Sequence, residues 1–187
     1  IAVMQQGSIE QIGTPHAVYH FPATIAVADF TGNPKTNLIR GEIHDTGERI
    51  LLVPDSDPYC FIALSDECRA FAGEKVVLHT RPEDVDIRTE LSEDEGRVPV
   101  IVVMHEGAHT LVHMYLGEDT RQIIARYGQE QRPEVHRGQE VQLRFRRGNI
   151  YDPVTGLLRG SFGYQAVTGR PNASLASLEG KGVRGST

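Results

Sequence analysis

Two spacings of apolar residues divide this chain. Up to about residue 31, short apolar runs sit between turn and cap signals; from about residue 37 on, apolar positions recur every second residue, the period of a half-buried strand. Ile1 to Gln5 and Ser8 to Ile12 read as two strands, with Gln6-Gly7 where a tight hairpin turn belongs. Thr14-Pro15 gives an N-cap followed by proline at the first helical position, which predicts a short helix over His16 to Tyr19. That helix ends before Pro22, which can start a second one running to Phe30 through the small apolar residues Ile25 to Ala28. These elements bury too little to hold a core alone and need a partner sheet. Without one, Ile1 to Phe30 is expected to be partly exposed. A chain opening at Ile1, inside a strand pattern, is expected to be a piece of something longer.

Gly32-Asn33-Pro34-Lys35 is a strong breaker and marks the first boundary. Beyond it the alternation predicts strands over Asn37 to His44, Arg49 to Val53, Lys75 to Thr80, Val98 to Met104, Thr110 to Leu116, Arg121 to Arg126, Val141 to Arg146 and Leu157 to Phe162, with a short helix at Ser65 to Phe71. Many short strands with Gly- and Asp-rich turns predict a mainly β fold, a small barrel or sandwich. The acidic run Glu90 to Glu95 splits the region into two β modules, 35–90 and 97–166. The expected organisation is therefore 1–32, 33–166 and, where little is left to bury, a flexible tail over 167–187.

Of the 187 residues, 39% are hydrophobic and 24% charged, as in ordinary globular proteins. The net charge of −6 argues against nucleic acid as a partner. Two cysteines, Cys60 and Cys68, make no disulfide framework and lack zinc-ligand spacing. The tail holds a formal GxGxxG at Gly180 to Gly185, but no helix can follow it, so it does not read as a phosphate loop. Asn172-Ala173-Ser174 is likewise a bare acceptor pattern. His105, His109 and His113 are spaced by four, yet Gly107 interrupts any helix, and solvated or hydrogen-bonded imidazoles are the simpler reading. Alternation puts Arg144 and Arg146 on one face of a strand and Phe145 on the other. Glu83-Asp84, in a turn after Arg81-Pro82, suits ion pairs that fix a loop better than acid–base chemistry.

The opening segment IAVMQQGSIEQIGTPHAVYHFPATIAVADFTGNPKTNLI closely resembles the end of the nucleotide-binding domain in ATP-binding subunits of carbohydrate ABC importers, the maltose and glycerol-3-phosphate type. Val3, Met4, Gly7, Ile9, Gln11, Gly13, Thr14, Pro15, Tyr19, Pro22, Val27, Ala28, Phe30, Gly32, Pro34, Asn37 and Leu38 carry the match in order and spacing. Leu78 to Val85, with Arg81, Pro82, Glu83 and Asp84, looks like the family's G-[IV]-R-P-E-[DH] strand and turn, here with His79-Thr80 before the arginine. Val102 to Leu116, through Gly107, Thr110 and Val112, is similar to its GxET hairpin, and Gly138 to Phe145 followed by Tyr151 to Gly156 is similar to its closing strands.

The resemblance implies an OB-like β-barrel regulatory domain of the TOBE or MOP type, hung from a short α/β remnant of an ABC ATPase domain. It implies a parent that couples ATP hydrolysis to import of sugars or glycerol-3-phosphate-like solutes, with ATP and Mg in that parent and neither in this part. The phosphate loop, signature motif, catalytic Glu and switch His of the family lie upstream of the matched segment, so no catalytic, cofactor or metal residue is assigned. Expected partners are a second copy of the subunit, through the regulatory domain near Val98 to Leu116, and membrane permease subunits, with no nucleic acid. The expected place is cytoplasmic, peripheral on the inner face of the membrane. Gly32, Pro34, Asn37, Arg81, Pro82, Glu83, Asp84, Gly107 and Thr110 are the family-motif positions, Arg81 and Glu83 being expected to fix the turn between modules. Two alternatives stand beside this: a free-standing β-barrel binding oxyanions such as molybdate, which Lys scarcity disfavours, and a subunit of a polyamine or iron importer.

Overall fold

The computed structural model describes residues 1–117 and 122–163. β1 (Ala2–Gln5) and β2 (Ser8–Ile12) form the hairpin, turning through Gln6 and Gly7, both at positive φ. Thr14 Oγ1 accepts from Ala17 N–H at 3.1 Å and opens α1 (Pro15–His20); Thr24 Oγ1 accepts from Val27 N–H at 3.2 Å and opens α2 (Ile25–Phe30). α2 thus starts three residues later than Pro22 suggested. The intervening backbone is engaged elsewhere: Ala23 N–H donates to Gln11 Oε1 at 2.8 Å, and Ala23 O accepts from Leu158 N–H at 3.0 Å. Val3, Val18 and Val27 make a small apolar cluster of their own, whereas Met4 and Ile12 stay more than half exposed.

Eleven further strands among the described residues build two antiparallel sheets. The first contains β3 (Asn37–Asp45), β4 (Ile50–Pro54), β5 (Ile62–Leu64), β6 (Lys75–Thr80), β12 (Gly148–Tyr151) and β13 (Leu158–Phe162), ordered β13-β12-β6-β3-β4-β5. The second contains β7 (Val85–Arg88), β8 (Val98–Glu106), β9 (His109–Tyr115), β10 (Gln122–Gly128) and β11 (Glu140–Phe145), ordered β10-β9-β8-β11-β7. Its two edge strands are drawn together: Ile87 N–H of β7 donates to the Tyr127 hydroxyl of β10 at 2.7 Å, so the sheet curls towards closure. Asn37 joins the sheets, its amide mimicking a peptide: Nδ2 donates to Ile124 O and Oδ1 accepts from Ile124 N–H, both at 2.8 Å.

The two sheets face one core, in which Ile39, Leu52 and Leu78 meet Val98, Met114, Val141, Leu143 and Phe145. Arg144 and Arg146 are exposed while Phe145 is buried, as alternation predicts. The split at 90–95 does not coincide with the sheets. β7 pairs with β11, and β12 crosses back to β6 with β13 beside it, so the modules 35–90 and 97–166 interleave. The segment 66–71 is a 3-10 helix capped by Ser65. Among the described residues no helix is long and apolar enough to cross a membrane. Residues 118–121, including Arg121, lie outside the described residues, as does 164–187, which holds Gly180 to Gly185 and Asn172.

Candidate functional site

At the end of β6 the chain extends through Arg81 into a 3-10 turn over Pro82–Asp84, with proline at its first position. The Arg81 side chain is 1% exposed and points into the N-terminal helices. Nη1 donates to Ala28 O at 3.0 Å; Nη2 donates to Tyr19 O at 2.9 Å and to Thr31 Oγ1 at 2.7 Å. Tyr19 and Ala28 lie in the last turns of α1 and α2, where carbonyls lack intrahelical partners and the helix dipole is negative. One guanidinium therefore caps both helices. It also stacks over the Tyr19 ring, 4.2 Å from the centroid. Gly32 leaves room for it: a Cβ there would stand 3.1 Å from Arg81 Nη1, 3.0 Å from Thr36 N and 3.2 Å from Pro34 O.

A line of charges continues outward. The Tyr19 hydroxyl donates to Glu83 Oε1 at 2.5 Å, and burial together with that carboxylate raises the phenol's pKa. Glu83 Oε2 pairs with Arg126 Nη2 of β10 at 3.1 Å, and Arg126 Nη1 donates to Asn33 O at 3.3 Å, beside the cis Asn33–Pro34 peptide. Asp84, 1% exposed, accepts from Arg147 Nε at 2.8 Å and Nη2 at 2.6 Å. Burial raises the Asp84 pKa and the Arg147 contacts lower it, burial being the larger effect. Arg146 donates to Glu83 O.

From the last turn of α1 to the approach to α2, five consecutive carbonyls each accept a bond from outside the helices. Tyr19 O takes Arg81, His20 O takes Asn149 Nδ2 at 3.0 Å, Phe21 O takes Gln11 Nε2 at 3.0 Å, Pro22 O takes the Tyr151 hydroxyl at 2.8 Å, and Ala23 O takes Leu158 N–H. Asn149 also donates to His79 Nδ1 at 3.1 Å while its Oδ1 accepts from Ser161 Oγ at 2.6 Å. His79 Nδ1 is thereby an acceptor and the ring neutral; burial, with Arg81 nearby, pushes its pKa down to about 3. The arrangement clamps a helical segment to the hairpin and the β body through side-chain and backbone hydrogen bonds.

Seven of the motif positions converge here: Gly32, Pro34, Asn37, Arg81, Pro82, Glu83 and Asp84. Gly107 and Thr110 do not; they sit in the β8–β9 hairpin, where Gly107 has φ +55° and Thr110 Oγ1 lies 3.0 Å from His105 Nδ1. Gln11, His79, Asn149 and Tyr151 were missed as site residues, although polar groups inside apolar strand patterns were the signal for them. His113 bonds Gln122 at 2.9 Å rather than the other imidazoles, and among the described residues no group of three His, Cys, Asp or Glu is placed to hold a metal. Cys60 and Cys68 are buried free thiols pushed up to about 12 by burial.

No family model matches the chain. Among curated proteins it is similar to the sn-glycerol-3-phosphate import ATP-binding protein UgpC of Shigella sonnei (strain Ss046) and of Escherichia coli (strain K12), 33% identical over 158 residues in each case, covering 83% of this chain and 42% of the relative. The chain thus spans about two-fifths of the length of the curated relatives it matches. Among solved structures, the cytoplasmic molybdate-binding protein ModG overlaps 58% of this chain and 89% of its own at 15% identity and TM-score 0.40, too loose a likeness to carry an argument. With one residue in three shared over 158 positions, most of this chain is similar to part of the import ATP-binding protein UgpC.

Proposed function

We propose that this chain is the C-terminal regulatory and dimerisation region of the ATP-binding subunit of an ABC importer for sugars or glycerol-3-phosphate-like solutes. In this reading residues 1–32 are the end of the nucleotide-binding domain, 33–166 the OB-like regulatory domain, and 167–187 a tail. The whole subunit binds ATP and Mg, couples hydrolysis to import, pairs with a second copy, and sits with permease subunits on the cytoplasmic face of the membrane. The observation that supports it most is the clamp: five consecutive carbonyls of the helical connector are held by the hairpin and the β body. Such a joint passes rigid-body motion from one part to the other, as a hinge-driven transporter needs. Arg81 and Glu83 would set its angle, and Gly107 and Thr110 would shape the hairpin nearer the partner subunit.

The first test is the intact mass of the native gene product from its own cells, with peptide mapping upstream of Ile1. A mass roughly twice 20.7 kDa or more, with a phosphate-loop peptide, is the expected result. A product of 20.7 kDa would overturn the reading. The second test reconstitutes that product with its permease subunits: Arg81→Gln should leave ATP binding intact while lowering solute uptake per ATP hydrolysed.

A further inference from the structure

β8 leaves part of one edge open beside a cationic cleft. β11 pairs only with the first two residues of β8, Val98 and Pro99. Val100 then bonds the loop before β11, its N–H donating to Gln139 O at 2.9 Å and its carbonyl accepting from Gly138 N–H at 2.8 Å. A bulge between Val100 and Val102 follows, and beyond it β8 pairs with β9 alone. Among the described residues, the backbone groups of Ile101 to Glu106 that point away from β9 have no backbone partner. The loop over 132–137 stands across a cleft of about 710 Å³ whose apolar lining includes Ile101, Val103 and Val135. A second hollow of about 270 Å³ continues it, sharing His105 and Arg132.

The rim is cationic although the protein carries a net charge of −6. Arg132 and Arg137 line the cleft, are exposed, and have no ion-pair partner among the described residues. His105 and His136 stand beside them, and Glu134 is the one carboxylate of the lining. Most other arginines, such as Arg49, Arg88, Arg97 and Arg159, are ion-paired. Unpaired cations next to an unpaired strand edge fit one kind of visitor. We propose that this cleft takes an extended acidic segment of a protein partner, which adds as a strand to β8 while its carboxylates meet Arg132 and Arg137. Six residues of such a segment span about 20 Å, the length of the open edge, and alternate apolar side chains would fill the floor. The cleft is formed by this chain's own residues and lies within the Val98 to Leu116 region where a second copy is expected in the transport reading, so the acidic segment and the second copy compete for one edge.

The test is fluorescence anisotropy of a labelled hexapeptide of alternating Glu and Val against the 187-residue chain, with amide-shift mapping. Expected are saturable binding weakened by salt, shifts confined to 101–106 and 132–137, and affinity about tenfold or more lower for R132E/R137E at unchanged thermal stability. R132Q/R137Q serves if the charge reversal fails to fold. The same peptide methylated at alternate backbone nitrogens should not bind, because it cannot make the ladder. No saturation by about 1 mM, equal binding of the methylated peptide, or shifts elsewhere would overturn the proposal. So would sedimentation showing that a second copy of the chain already covers this edge.

Discussion

His79 ties stability to pH, and the clamp sets the size of the effect. The ring is 1% exposed, its Nδ1 accepts from Asn149, and its pKa lies near 3 against an ordinary 6.5. Between those values the unfolded chain binds a proton that the folded chain refuses, so stability is fully present above about 6.5 and falls as pH falls towards 3. At 1.36 kcal/mol per pKa unit, acidifying from pH 6.5 to 4.5 should cost about 2 kcal/mol through this residue alone. His20, also shifted down by burial, adds loss of the same sign, and Asp84, shifted up, opposes it. Both are common to wild type and His79→Gln, so the comparison isolates the imidazole. Urea unfolding followed by far-ultraviolet circular dichroism at half-unit steps from pH 7 to 4.5 gives the two curves. Glutamine keeps an acceptor for Asn149, so whatever it costs in packing against Tyr151 shifts the curve without tilting it. Wild type should lose about 2 kcal/mol more than the variant over that span. Parallel curves would refute the buried, neutral ring.

Two further substitutions probe the same joint. Arg81→Ala strands the acceptors on Tyr19, Ala28 and Thr31 and should cost about 3–5 kcal/mol by urea midpoint; Arg81→Lys should recover less than half, since one ammonium cannot reproduce the fork that reaches both helices. Gly32→Ala brings a methyl within 3.0–3.2 Å of Thr36 N, Arg81 Nη1 and Pro34 O, and should destabilise by about 1–2 kcal/mol in the same assay; an unchanged midpoint would mean that the loop yields freely.

Period and cap chemistry made the long strands and both helices readable. β3 reads as alternation because one of its faces is core and the other is not. β5, β7 and β12 escaped because three or four residues hold too few periods. In β12 all four residues, Gly148 to Tyr151, are buried, so there is no alternation to see. The crossing of β12 and β13 back to the first sheet was unreadable for a different reason, since pairing between distant strands leaves no local mark. The clamp was half legible. Arg81 and Glu83 stood out through the family motif, but their partners are largely backbone carbonyls, which every residue carries alike. Only the folded connector reveals which ones are left over.

The connector also decides how the N-terminal segment opens. Bonds to Tyr19, His20, Phe21, Pro22 and Ala23 come from Arg81, β2, β12 and β13, so moving α1 or α2 breaks several at once. Fraying one residue at a time therefore gains little entropy for each bond lost. The hairpin is different: Val3 is its one fully buried side chain, and Met4 is 60% exposed. Native-state hydrogen exchange should show two levels of protection. The amides of Val18, Phe21, Ala28 and Thr31, bonded within the helical segment, should open with a common free energy and a common denaturant dependence, matching Ile150 in β12. Strand β1 should open at lower cost. If Phe21 and Ala28 opened separately, at costs well below Ile150, the connector would be a tether rather than a joint, and the motion it passes on would have to come from the 31–37 loop instead.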